Sequence, residues 1–226
     1  MSSATAPRSV QHRYGLVLLL TVIAVVDVII APDTPLSRGI GVLLQGTVLL
    51  VVIATARGSR AVRRVRAIAA AGVLLALAVG VATSVISPKL GSSLAGIAIV
   101  AVLVELVRGV GRLIRAQGVT LQAVAGALAI YMLVGLTFAL MIGFIAYIGP
   151  AYFAQGNPQP LSQQVYFSFT TMTTTGYGDL TPATRVGRAV SVLEMLIGQI
   201  YLVTVIGLLV GNFNRRSARA DNAPSA

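Results

Sequence analysis

The chain contains no cysteine and no tryptophan, a single histidine, and only 6 acidic residues among 226. Without cysteine there is no disulfide framework from which to read a compartment. The lone histidine, His12, lies in a polar N-terminal tail and offers little for metal ligation. The acidic residues are scattered: no loop holds paired carboxylates, no glycine-rich loop is shaped to cradle phosphate, and no nucleophile motif occurs. With nothing to assemble a catalytic constellation, an enzyme is not expected, and no cofactor is implied. Charged residues make up 10% of the chain and apolar ones 56%, which excludes a soluble globule of ordinary composition.

What the chain has instead is long apolar runs. About 20 such residues cross the hydrocarbon core of a bilayer as a helix. Six runs approach this length, near Tyr14–Ala31, Gly39–Ala56, Ala67–Ile86, Leu94–Val110, Leu121–Ile148 and Val186–Gly211. The first has the basic start of a signal peptide, but its apolar run is long and no small-residue cleavage site precedes "PDTP", so it counts as a span.

The net charge of +11 invites a nucleic-acid reading, and the placement of the charges argues against it. With the N-terminus in the cytosol, thirteen of the 17 basic residues fall inside: Arg8, Arg13, Arg57, Arg60, Arg63, Arg64, Arg66, Arg108, Arg112, Arg115, Arg215, Arg216 and Arg219. Only Arg38, Lys89, Arg185 and Arg188 fall outside. This positive-inside bias predicts an even number of spans with both termini cytosolic in a multi-pass protein of the cell membrane. No nucleic-acid partner is expected. The cluster Arg57, Arg60, Arg63, Arg64 and Arg66 is suited to anionic lipid, where each basic residue adds about 1 kcal/mol.

Between the last two runs lies "TTMTTTGYGDLTP", Thr170 to Pro182, dense in hydroxyls and punctuated by glycine. The preceding "LSQQVYFSFTTMT" is too short to span but long enough for a half-length helix, with Ser162 as its expected N-cap. Irregular backbone at membrane depth survives only where protein buries it or where it lines a water-filled cavity. A dehydrated cation needs several oxygens at once, so several copies of this strand must converge. If Gly176 and Gly178 take backbone angles that L-residues avoid, successive carbonyls point the same way and stack into rings, with the Thr174 hydroxyl as the innermost. The half-helix ending near Thr173 turns the negative end of its dipole to the cavity below, which favours a cation there. Tyr177 points away from the axis and braces the strand.

"TMTTTGYGD", Thr171 to Asp179, resembles the signature of the tetrameric potassium channels. The resemblance covers the helix, pore loop and helix from Leu121 to Phe213, less than half of the chain, and points to a bacterial six-span type. It implies that Thr174, Thr175, Gly176, Tyr177 and Gly178 form a K+-binding selectivity filter, with Asp179 the carboxylate just outside and Gly198 the hinge glycine of the inner helix. Two features depart from the family pattern. Thr175 stands for the usual Val or Ile, keeping the β-branch but adding a hydroxyl behind the strand. Tyr166 and Phe167 occupy positions where many relatives carry Trp, so the indole that often holds the aspartate is missing, and Tyr166 could offer its hydroxyl to Asp179 instead. Thr173 and Glu194 complete the filter support: Glu194, a buried carboxylate one turn before Gly198, calls for a partner such as Ser168 or a threonine of the pore helix.

Below Gly198, the residues Gln199, Leu202, Ile206 and Val210 follow helical spacing and would line the inner pore as an apolar gate. Packing against lipid or the fifth span is the plainer role for the same stripe. Gly207 and Gly211 are expected as close-packing positions. The first four spans resemble in number a voltage-sensing module, yet the fourth carries no basic residue before Arg108, so a scaffold that does not sense voltage fits better. Asp27 suits a hydrogen bond to another span more simply than service as a countercharge, and Glu105 an ion pair with Arg108.

The expected architecture is therefore an all-α membrane protein, six transmembrane helices plus a re-entrant pore helix and filter. Residues 1–116 form a four-helix voltage-sensor-like domain, 117–214 the pore domain, and 215–226 a short cytosolic tail. One pore repeat per chain implies a homotetramer. The expected function is passive, selective K+ conduction. The alternatives are a non-selective monovalent cation channel and a non-conducting membrane scaffold or regulatory subunit.

Overall fold

The computed structural model describes residues 13–32, a discontinuous set between 34 and 51, and residues 88–156 and 159–212. Among these the chain is helical, with no strand and one isolated antiparallel bridge, Phe153 to Pro182. The elements are α1 (Arg13–Ile30), α2 (Pro88–Gln117), α3 (Leu121–Ile148), α4 (Leu161–Met172) and α5 (Arg185–Ile200). A π-helical turn, Tyr201–Ile206, carries α5 on to Asn212. Further helical residues occur between 36 and 51. The run Ala67–Ile86, the arginines from Arg57 to Arg66 and the tail after Asn212 lie outside the described residues.

Local chemistry sets the boundaries. α2 ends where Gly118 takes a left-handed φ of +70° and its N–H bonds the Ile114 carbonyl at 2.7 Å, a C-cap that glycine adopts without Cβ strain. Two residues later the Thr120 hydroxyl accepts from the Ala123 N–H at 3.2 Å and starts α3. α3 stops at Gly149, ahead of Pro150. Its range coincides with the expected fifth span, and it and Arg185–Asn212 are the two described helices long and apolar enough to cross a membrane.

α1, α2 and α3 share one core, in which Val17, Leu106, Ala129, Leu133 and Ala139 are buried. Glycines let the helices close in. A Cβ on Gly126 would stand 2.5 Å from Val110 Cγ2, and one on Gly109 would stand 2.8 Å from the Tyr14 hydroxyl. Tyr14 thus sits in a slot cut by two small residues, the usual means of close approach between membrane helices. The Gln122 side chain of α3 accepts from the N–H groups of Tyr14 and Gly15 at 3.1 and 3.3 Å, capping the start of α1. Asp27 lies against Gly41, whose Cβ would be 3.7 Å from its Oδ2.

A smaller aromatic cluster of Tyr152, Phe153 and Phe167 fixes the segment after α3 onto α4, with ring centroids 5.0 to 6.1 Å apart in edge-to-face pairs. Burial pushes the Tyr152 phenol above its ordinary range. Its hydroxyl donates to the Gly187 carbonyl at 3.1 Å and so ties this segment to α5 as well. Outward, α1 and α5 present rows of exposed apolar side chains: Leu19, Ile23 and Val26 on α1, Leu193, Leu196 and Ile200 on α5. Apolar surface of that extent marks contact with lipid or another chain.

Candidate selectivity filter

α4 is a twelve-residue helix wedged between α3 and α5. Its start corrects the expectation for Ser162. The N-cap is Pro160, extended at φ −63° and ψ 160°, with no side-chain cap, and Ser162 is already the second helical residue. The Pro160 carbonyl accepts from the N–H groups of Gln163 and Gln164, while the Gln164 side chain donates to the Gln159 carbonyl at 2.8 Å. The fixed φ of proline suits the extended entry to the helix, and Ser162, already inside the first turn, is not placed to cap it.

The far end of α4 is gripped by two glycines. A Cβ on Gly135 of α3 would lie 2.9 Å from both Met172 Cε and Phe169 Cζ, and one on Gly198 of α5 would lie 2.5 Å from the Met172 carbonyl oxygen. Gly198 is therefore a packing position. α5 stays α-helical through it, and the π turn Tyr201–Ile206 follows three residues later. There the Thr204 hydroxyl bonds the Ile200 carbonyl, a back-bond of the kind that bends helices. The Tyr201 hydroxyl anchors the turn to α3 by donating to the Ala127 carbonyl at 2.7 Å. In the single chain Gln199, Leu202 and Ile206 are half-buried and Val210 is exposed, with the π turn lying across this row. Gly207 and Gly211 have no neighbour closer than 3.9 Å to an added Cβ, so neither is a close-packing position within the single chain.

Beyond α4 the backbone alternates. Thr174, Gly176 and Gly178 have φ of +60°, +53° and +82°, every second residue left-handed. The N–H groups of Thr175 and Gly176 fold back onto the Thr170 carbonyl at 2.8 and 3.1 Å. The last carbonyls of α4 gain partners, and the strand's own carbonyls from Thr174 to Gly178 receive no hydrogen bond from any described residue. A short segment with its amides turned inward and its carbonyl oxygens free is a set of ready acceptors.

The side chains around it are accounted for. Tyr177 stacks on Tyr166 with centroids 6.2 Å apart and planes 3° from parallel, and the Tyr166 phenol interacts with the Asp179 carboxylate. The Thr175 hydroxyl pairs with the Thr173 hydroxyl at 2.8 Å, and Thr173 donates to the Phe169 carbonyl at 2.7 Å. The Thr174 hydroxyl donates to the Thr173 carbonyl at 2.6 Å and accepts from Gln199 Nε2 at 3.4 Å, linking α5 to the base of the strand. Glu194, fully buried, is hydrogen-bonded to Ser168, whose hydroxyl also lies 2.7 Å from the Gly135 carbonyl oxygen.

Sequence reasoning missed the left-handed Thr174, for which a β-branched residue gives no signal, and Gly135, one glycine among several in an apolar run. Arg108 pairs with Glu105 at 3.3 Å on the exposed end of α2.

Residues 124–214 match the model of a family described as ion channel. The potassium voltage-gated channel subfamily A member 5 of Homo sapiens is 33% identical over 102 residues, covering 43% of this chain and 16% of that protein. Subfamily A member 4 of Homo sapiens is 33% identical over 84 residues, covering 35% of this chain and 13% of that protein. The chain thus spans less than a fifth of the length of the curated relatives it matches. No solved structure matches it.

Proposed function

From the match of residues 124–214 to an ion-channel family model and the 33% identity to a potassium voltage-gated channel over 102 residues, we propose that the protein is a homotetrameric, potassium-selective channel of the cell membrane. In this reading residues 117–214 are the pore domain, residues 1–116 a four-helix scaffold that does not sense voltage, and 215–226 a cytosolic tail. Six spans leave both termini in the cytosol, and the arginines from Arg57 to Arg66 face anionic lipid.

The observation that carries the reading is the alternation at Thr174, Gly176 and Gly178, with unengaged carbonyls at the end of a half-length helix held between two membrane helices. Four such strands around an axis replace the hydration shell of a monovalent cation with rings of backbone oxygen. Tyr177, 70% exposed in the single chain, takes its place against a neighbouring chain. The C-terminus of α4 adds the negative end of its dipole below the filter. Potassium then moves passively, each ion bound well enough to enter and weakly enough to leave.

Tracer rubidium uptake into potassium-loaded liposomes tests the proposal. A selective channel takes up rubidium and is insensitive to added sodium. Comparable sodium flux would make it a non-selective cation channel, and no flux a scaffold or regulatory subunit.

A further inference from the structure

Behind the filter one serine hydroxyl stands in two hydrogen bonds. The Ser168 hydroxyl lies 2.7 Å from the Gly135 carbonyl oxygen and also bonds Glu194 Oε1. A carbonyl oxygen can only accept, and a serine hydroxyl carries one proton. If Ser168 donates to Glu194, it faces Gly135 as one acceptor against another at hydrogen-bond distance. If it donates to Gly135, the bond to Glu194 needs a proton of its own, and the carboxyl is the group able to hold one. Only the second arrangement satisfies both contacts.

The surroundings favour the same arrangement. Glu194 is 0% exposed and its Oε2 has no partner among the described residues. The titratable groups facing it are the phenols of Tyr131 on α3 and Tyr152 in the segment before α4; α4 itself presents the Ser168 hydroxyl. None of these carries positive charge, and no arginine or lysine pairs with Glu194 among the described residues. An ionised carboxylate would sit in this place with one hydrogen bond and no countercharge, whereas a neutral acid leaves only one weak acceptor unpaired.

We propose that Glu194 is a neutral carboxylic acid and a positioning residue for the filter: its O–H donates to Ser168, which donates to the Gly135 carbonyl, tying α5, α4 and α3 together behind the conducting strand. Loss of that proton turns the Ser168 hydroxyl to the carboxylate and away from the Gly135 carbonyl, breaking the relay between α4 and α3, so conduction falls as the pH rises. The effect on conduction rests on the channel reading above; the protonation state does not.

The test uses the full chain in liposomes. The chain has two glutamates, Glu105 and Glu194, and Glu105 is ion-paired at the surface. Infrared spectra of protein labelled with carbon-13 glutamate should therefore show, at neutral pH, the isotope-shifted carbonyl stretch of a protonated acid, absent from Glu194→Gln. Glu194→Gln, a neutral donor, should keep selective rubidium flux at every pH at which the wild type conducts, while Glu194→Leu loses it. In the wild type, alkalinisation should remove the band and the flux together. A wild-type spectrum lacking the band, or Glu194→Gln losing flux as Glu194→Leu does, would overturn the proposal. Should the wild type carry no flux at all, the channel reading falls, and the infrared band still decides the state of Glu194.

Discussion

At Gly178 the demand on the residue is purely conformational. Its φ is +82°, and an added Cβ would meet nothing within 4 Å in the single chain. That backbone costs an L-residue about 1–2 kcal/mol, incurred four times over in the proposed tetramer. Gly178→Ala should therefore abolish selective flux while native mass spectrometry still finds an intact tetramer; retained selectivity would remove the filter from this segment. Thr175 gives the opposite expectation. In Thr175→Val the β-branch stays, and Thr173 keeps its bond to the Phe169 carbonyl, so no donor is left unpaired. Stability in detergent should change by less than about 1 kcal/mol, the net worth of one hydrogen bond, and selective flux should persist.

At the scale of elements, two glycines of one helix separate packing from propensity. Gly198→Ala forces a Cβ to within 2.5 Å of a backbone carbonyl on α4, and overpacking of this kind costs about 1–3 kcal/mol. Gly211→Ala meets nothing and gains up to about 1 kcal/mol of helix propensity. Thermal melting should separate the pair; a tetramer destabilised by Gly211→Ala would instead place that residue at a contact between chains. Thr184, whose hydroxyl accepts from the Gly187 N–H at 3.0 Å, caps α5, and Thr184→Ala should cost about 1 kcal/mol. These elements were unequally legible in the sequence. A long run free of charge between Thr120 and Gly149 defined α3 by its length alone. Pro160 displaced Ser162 at the start of α4 because proline sets the backbone angle before any side chain caps it. The irregularity fell at Tyr201–Ile206 rather than at Gly198 because Gly198 is committed to Met172, while the Thr204 back-bond and the Tyr201 anchor act on the next turn. Pro160 stands in the sequence two positions before Ser162, so that correction is local; contacts between distant segments decide the second point, and local pattern carries no trace of them.

Among the described residues before Thr120, the core that α1 and α2 share with α3 buries no charged side chain. Moving one charge through 100 mV gains about 2.3 kcal/mol, so steep voltage dependence needs several charges within the membrane. Arg108, Arg112 and Arg115 sit in the last turns of α2, with Arg108 tied to Glu105 at the surface. Steady-state conductance should vary little with voltage, although the relatives' names describe voltage-gated channels, and neutralising the three arginines should not alter that; a steep conductance–voltage relation shifted by their removal would make α2 a sensor. The proposed function turns on four such segments converging around one axis. The most direct test is the reversal potential of the purified protein in a planar bilayer with potassium on one side and sodium on the other. Backbone rings from four chains predict a reversal far toward the potassium equilibrium potential, and a reversal near zero would contradict them.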